Sequence, residues 1–223
     1  MSYFVNQGDA VVWLLKQQPE CCDLLITDPA YESLEKHRAR GTTTRLKQSK
    51  GSSNDWFPIF KNERFESFFK AVYRVLKRDT HFYMLCDVET AHFAKPIAES
   101  VGFKFWNELV WDKQRRGMGY HYAKRTERIL FFEKGKRNLN THKSEDLLSF
   151  PRVNNGYPTE KPVELLEVLV NESSNPGELV IDPFMGSGAT GVAALKNGRK
   201  FWGNDISEKS IRLSKERFEK IAV

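Results

Sequence analysis

Two periods of apolar residues alternate along this chain. In ERFESFFKAVYRVLKR, residues 63–78, Phe65, Phe68, Phe69, Val72, Val75 and Leu76 recur at helical spacing, which predicts an amphipathic helix. The same reading predicts helices from Asp9 to Lys16, over 88–102 ending at Gly102, from Lys161 to Glu172 with Pro162 in the first turn, and from about Ala189 to Lys196. A last helix runs from Ser207, as its N-cap, to about Ile221. Short apolar runs predict strands at 23–27, 81–86, 103–111, 127–134, 179–183 and 200–205. Strands alternate with helices, so the expected class is α/β with a mostly parallel sheet. Segments 103–111 and 127–134 should pair antiparallel at one edge of it.

Composition narrows the class further. A chain of 223 residues with 40% hydrophobic side chains can bury a core, which excludes a disordered protein and favours one large domain. No apolar run approaches the roughly 20 residues of a membrane span, and MSYFVNQGDA lacks the regions of a secretion signal. Cys21, Cys22 and Cys86 suit neither a disulfide framework nor a metal site, and the five histidines show no paired ligand spacing. The expectation is a cytoplasmic protein without membrane or metal.

The net charge of +6 is unevenly spread. Residues 32–57 hold six Lys/Arg against three Asp/Glu, 113–125 hold five against none, and 134–143 hold four against none. The cations gather in predicted loops, which suits a polyanionic partner.

Two stretches carry candidate chemistry. DLLIT, 23–27, reads as a core strand, yet it runs into Asp28, Pro29, Ala30 and Tyr31. A strand terminator explains a Pro and an Asp on its own terms. The second stretch places Gly186, Gly188 and Gly191 as G-x-G-x-x-G after a strand, with Asp205 closing the next strand 19 residues after Gly186. By pattern this is a dinucleotide fold with Asp205 on ribose hydroxyls. Against a nicotinamide dinucleotide stand the 37 residues after Gly186, room for one more strand and helix, and Asp182, whose sign is wrong for a pyrophosphate. S-adenosylmethionine fits better: it has cationic groups, a carboxylate for the helix N-terminus and a ribose for Asp205.

These residues carry a resemblance. DPFMGSGAT at 182–190 resembles the cofactor motif of amino-methylating DNA methyltransferases, and TDPAY at 27–31 resembles their catalytic D-P-P-Y. YPTEKP at 157–162 resembles their H-P-T-Q-K-P element, and GDA at 8–10 resembles the Gly-Asp that reaches the cofactor's adenine ring. The catalytic motif preceding the cofactor motif is the order of the permuted β group. Ala30 stands in place of the second Pro, Tyr157 in place of His, and Glu160 in place of Gln.

The resemblance implies a Rossmann-like fold with a seven-stranded, mostly parallel sheet and an antiparallel edge hairpin. It implies one methyltransferase domain over 1–223, with DNA-contacting loops at about 32–57, 113–125 and 134–156. Asp28, the Pro29 carbonyl and Tyr31 would be catalytic: two acceptors hold the amine of a flipped base while Tyr31 stacks on it. The cofactor, S-adenosylmethionine, would meet Asp9, Ala10, Asp28, Thr159, Lys161, Asp182, Pro183, Phe184, Gly186, Ser187, Gly188, Thr190 and Asp205. Double-stranded DNA would meet Arg38, Arg40, Arg45, Lys113, Arg115, Arg116, Tyr120, Tyr122, Lys124 and Arg125, with residues 38–55 ordering only on DNA. A homodimer and a cognate restriction nuclease are admitted as partners. Asp at the first motif position resembles the adenine enzymes, where cytosine enzymes usually have Ser. A cytosine amino-methyltransferase, a nicotinamide oxidoreductase and a catalytically silent nucleic-acid-binding module remain as alternatives.

Overall fold

The computed structural model describes residues 2–33, 58–117, 121–141, 143–153 and 159–222. Along the chain come β1 (Tyr3–Gln7), α1 (Ala10–Lys16), β2 (Cys22–Thr27), a 3-10 turn (Asn62–Arg64), α2 (Phe65–Val75), β3 (Leu76–Cys86), α3 (Val88–Val101), β4 (Lys104–Asp112) and β5 (Thr126–Lys134). β6 (Leu147–Ser149), α4 (Val163–Ser173), β7 (Leu179–Asp182), α5 (Ala189–Lys196), β8 (Lys200–Asp205) and α6 (Glu208–Ala222) complete it.

The strands form one eight-stranded sheet in the order β1-β8-β7-β2-β3-β5-β4-β6. Among the described residues β5 alone runs against its neighbours, β3 and β4; the other pairings are parallel. A parallel sheet needs both faces covered. α1, α2 and α3 cover one, where Trp13, Phe65, Phe69 and Val72 pack with Leu25, Phe82 and Met84. α4, α5 and α6 cover the other, where Leu165, Leu169, Ala193 and Phe218 pack with Leu24, Ile26, Tyr83 and Val180. Alternate residues of β2 thus enter two cores, which is why its sequence reads as an unbroken apolar run.

The chain leaves β2 towards β3 on one side, while β7 leads to β8 on the other. The β2–β7 junction is therefore the point where the winding reverses, and a crevice opens outside the strand ends there.

Three expectations change. The sheet has eight strands, not seven, because β1 and β6 were not read as strands. Both are edge strands with one neighbour, and Phe4 and Leu147 are half exposed on them, so neither shows a buried pattern. The β4–β5 pair is antiparallel as expected, but β6 lies outside it, so the pair is not the edge. β3 begins at Leu76, directly off the end of α2, five residues before the predicted start. No helix among the described residues is long and apolar enough to cross a membrane.

Candidate active site

Three strand ends meet at one cleft. β2 delivers Asp28, Pro29, Ala30 and Tyr31; β7 ends in Asp182 and delivers Pro183, Phe184 and Gly186; β8 ends in Asp205. All of these line the cleft, together with Asp9, Ala10, Ser187, Thr190, Thr159 and Lys161. The structure therefore gathers the predicted catalytic residues and all but one of the predicted cofactor residues around a single space.

The exception is Gly188. Its φ of 80° needs glycine, but a Cβ there would stand 2.8 Å from Cβ of Ser214 and 2.9 Å from Cζ of Phe218. At Gly191 a Cβ would lie 2.3 Å from Cζ of Phe218. These two glycines let α5 pack against α6, and of the three only Gly186 lines the cleft.

Hydrogen bonds tie the strand ends together. Thr27 Oγ1 donates to Asp182 Oδ1 at 3.2 Å, joining β2 to β7. The Phe184 amide donates to the same oxygen at 3.0 Å. Burial pushes the Asp182 carboxyl up to about 7, against the hydrogen bonds from Thr190, Phe184 and Thr27, and Asp28 adds to the rise. Asp205 accepts from the Gly186 amide at 2.9 Å and the Ser207 amide at 2.8 Å, fixing the glycine turn to the end of β8. Burial raises its carboxyl too, opposed by those amides. The Ser210 hydroxyl and the Ile206 amide also bond to this carboxylate, which lines the cleft.

The Gly-Asp-Ala stretch is pinned to β8: Asn204 Nδ2 donates to the Gly8 carbonyl at 3.0 Å, and the Gly8 amide to the Asp205 carbonyl at 3.0 Å. Asp9 caps α1 through the Val12 amide at 3.0 Å and receives Arg64 at 2.7 and 2.9 Å. Burial works against its charge, but the Val12 amide and Arg64 outweigh it and hold the carboxyl below its ordinary value. Arg64, which no motif announced, thereby joins the cleft lining.

Charged residues alternate in sign through the cleft. The Lys161 ammonium bonds Asp28 Oδ2 and stands 3.5 Å from Glu127 Oε2. Glu127 Oε1 lies 3.3 Å from the Lys113 ammonium. Burial disfavours the Lys161 charge, yet Asp28 and Glu127 hold it protonated well above the usual lysine range. Burial likewise works against Glu127, and Lys161 and Lys113 hold it ionised below the usual range. Burial raises Asp28, Lys161 opposes this, and Glu127 adds to it. Tyr31 is 8% exposed and pairs in strand fashion with Phe60, whose amide donates to the Ala30 carbonyl at 2.7 Å.

The basic connection from β4 to β5 divides. Arg115, Arg116, Tyr122 and Lys124 are exposed, Tyr122 almost fully. Lys113 is bound to Glu127, and Arg125 makes two 2.6 Å bonds to Asp112. Both acids lie just outside the basic segment 113–125, so each of these two cations already has an anionic partner. In 134–143, Lys134 is buried and donates to the Tyr73 and Leu76 carbonyls at 2.8 and 2.6 Å, while Arg137 pairs with Glu178 at 3.3 Å. Within the expected loop 134–156, residues 147–149 form β6. Tyr120, Arg38, Arg40 and Arg45, with most of 32–57, lie outside the described residues, as does Tyr157.

Comparison with known proteins adds to this geometry. A family profile described as DNA methylase matches residues 22–216. Type II methyltransferase M2.DpnII of Streptococcus pneumoniae is 26% identical over 240 residues, covering 95% of this chain and 88% of its own. DNA adenine methyltransferase YhdJ of Escherichia coli is 27% identical over 255 residues, covering 96% and 82%. A candidate DNA modification methylase of Thermus thermophilus, solved with S-adenosyl-L-methionine, superposes with a TM-score of 0.74 at 20% identity over 99% of this chain and 96% of that one. The cytosine-N4-specific PvuII DNA methyltransferase superposes with a TM-score of 0.75 at 19% identity over 100% and 90%. Those two likenesses bear on the fold alone.

Proposed function

We propose that this chain, which belongs to the DNA methylase family, transfers a methyl group from S-adenosylmethionine to the 6-amino group of adenine in double-stranded DNA. The observation that carries this reading is one shared cleft, in which Asp28 and Pro29 at the end of β2 face the Asp182–Gly186 turn and Asp205. An amine acceptor and a cofactor cradle thus border the same space.

The cradle fits the cofactor. Gly186 turns the backbone at a φ of 51°, α5 begins three residues later and offers its N-terminus to a carboxylate, and Asp182 lines the same cleft for a cation. Asp205 takes the ribose, and Asp9 and Ala10 the adenine ring. When bound, the cofactor supplies an electrophilic methyl on a sulfonium. Asp28 and the Pro29 carbonyl accept the two N–H groups of the flipped base, turning the nitrogen lone pair towards that methyl, and one proton passes to solvent after transfer. Tyr31 packs on the base. The motif order fits the permuted β group.

Asp at position 28 and the named activity of the Escherichia coli relative favour adenine over the exocyclic amine of cytosine. Transfer of labelled methyl to DNA, followed by nucleoside digestion, decides: N6-methyladenine supports the reading, N4-methylcytosine replaces the acceptor, and no label from folded protein overturns the activity. Several relatives are named type II methyltransferases, and a cognate restriction nuclease is part of the proposed reading.

The Asp182 carboxyl gives a pH signature. With a value of about 7 in the cofactor-free cleft, it is largely protonated below neutrality and must ionise to face a cation. Cofactor affinity should therefore rise from pH 6 to 8, by up to about tenfold per unit below 7, and level off above. Calorimetry should show this rise for the wild type and its loss in Asp182→Asn.

DNA lies across the β4–β5 connection, held by Arg115, Arg116 and Lys124. Replacing Arg115 and Arg116 together with Ala should weaken DNA binding and leave cofactor affinity unchanged. Each lost phosphate contact should flatten the slope of log affinity against log salt by roughly 0.9. Filter binding across a salt series measures it; an unaltered slope would leave these side chains merely solvated.

A further inference from the structure

We propose that Glu127 is a positioning residue for Lys161: its free oxygen is the seat to which the Lys161 ammonium moves when the target amine takes its place on Asp28. This deepens the function proposed above, since it rests on Asp28 being the amine acceptor.

The geometry is asymmetric. Lys161 Nζ is bonded to Asp28 Oδ2 and lies 3.3 Å from the Thr159 carbonyl. Glu127 Oε2 stands 3.5 Å from the same nitrogen, is buried, and has no hydrogen-bond partner. Its other oxygen is anchored by Lys113 at 3.3 Å. A carboxylate oxygen without a partner costs free energy in a buried place. Here the nearest donor is held by a competitor.

The same arrangement poses a problem for catalysis. An amine approaching Asp28 competes with the ammonium for the charge and acceptor directions of the carboxylate, and expelling a buried cation into solvent is costly. Closing the gap to Glu127 needs only a shift from 3.5 Å to the roughly 2.8 Å of a charge-assisted bond. The ammonium stays paired, Glu127 gains its missing donor, and Asp28 is left ionised for the amine. Proton count and net charge are unchanged, so no co-reactant is needed. Lys113 keeps Glu127 from turning away.

Asp28 is faced by Lys161 from the segment before α4, Glu127 from β5, Asp182 from the end of β7, Tyr31 on its own loop and Cys86 from the end of β3. Changes at Lys161 and Glu127 act on it with opposite sign. Loss of the anion in Glu127→Gln should lower the Asp28 pKa, and loss of the cation in Lys161→Met should raise it.

Carboxylate NMR titration of the protein without cofactor or DNA reads those shifts, and single-turnover methyl transfer reads the switch. Glu127→Gln leaves Lys161 with Asp28 as its one anion, so the transfer rate should fall by about tenfold or more while DNA and cofactor affinities stay within twofold. The double variant Lys161→Met/Glu127→Gln removes the competitor with its seat, and should transfer faster than Glu127→Gln alone. Glu127→Asp, shorter by one methylene, keeps the charge but withdraws the seat. It should slow transfer with the Asp28 pKa unchanged, and it serves if Glu127→Gln fails to fold. Wild-type rates in the Glu127 variants, or a double variant no faster than Glu127→Gln, overturn the inference while leaving the activity standing. A wild type that methylates no DNA overturns both.

Discussion

Asp28→Ala is expected to lower the rate of methyl transfer by about 10²–10³-fold or more, the loss typical when a preorganised acceptor is removed from a transition state. An exocyclic amine is a poor nucleophile, because its lone pair is delocalised into the ring. It becomes reactive when its N–H groups are held out of that plane, the role proposed for the Asp28 carboxylate. The fold should survive, since the Lys161 ammonium that loses Asp28 has Glu127 within 3.5 Å. DNA binding, proposed to rest on phosphate contacts elsewhere, should change little, and cofactor affinity should change far less than the rate. Rapid-quench measurement of one turnover, alongside melting temperature and cofactor calorimetry, separates these quantities. A rate within tenfold of the wild type, about 1.4 kcal/mol of barrier, would mean that Asp28 is not the acceptor.

Gly191→Ala should destabilise the protein by about 2 kcal/mol, as the balance of two opposed effects. Alanine in a helix gains up to about 1 kcal/mol over glycine, whereas overpacking a filled core costs up to about 3 kcal/mol. The clash dominates because the new Cβ would lie 2.3 Å from Cζ of Phe218 and 2.7 Å from Cε1 of Phe201. Both rings are fully buried, so neither can swing aside. In a chain of this size the loss corresponds to a fall in melting temperature of roughly 4–8 °C. Phe218→Leu in the same chain should recover part of it. An unchanged or raised melting temperature would show that Gly191 is not demanded by packing.

That prediction marks where the sequence was most informative and where it misled. β2, β7, α5 and β8 were legible because each is buried on both sides or framed by glycine turns, so their patterns carry little noise. The motif G-x-G-x-x-G was equally legible, but not the division of labour within it: the reason for Gly188 and Gly191 is a phenylalanine nearly 30 positions later. β1 and β6 were missed because a half-exposed edge strand has only one neighbour to impose a pattern. The ion pairs were missed for a related reason. Glu127 and Lys161 meet only because β5 and the segment before α4 converge, and no local spacing records that. Lys134 counts by sequence among the loop cations, yet it is buried and holds the Tyr73 and Leu76 carbonyls and the Glu20 carboxylate.

The sheet order also governs how the site comes into being. β1 pairs with β8, so Tyr3 must find Phe201, and β2 must hold a place for β7. Asp28 and Asp9 are synthesised early, Asp182 and Asp205 late, and the cleft exists only once the two ends of the chain have closed on each other. Such long loop closures slow folding. Until β7 arrives, one side of β2 is an unpaired apolar edge of the kind that recruits other nascent chains. The cost of a site assembled from distant segments therefore falls on the interval before the last strands emerge from the ribosome.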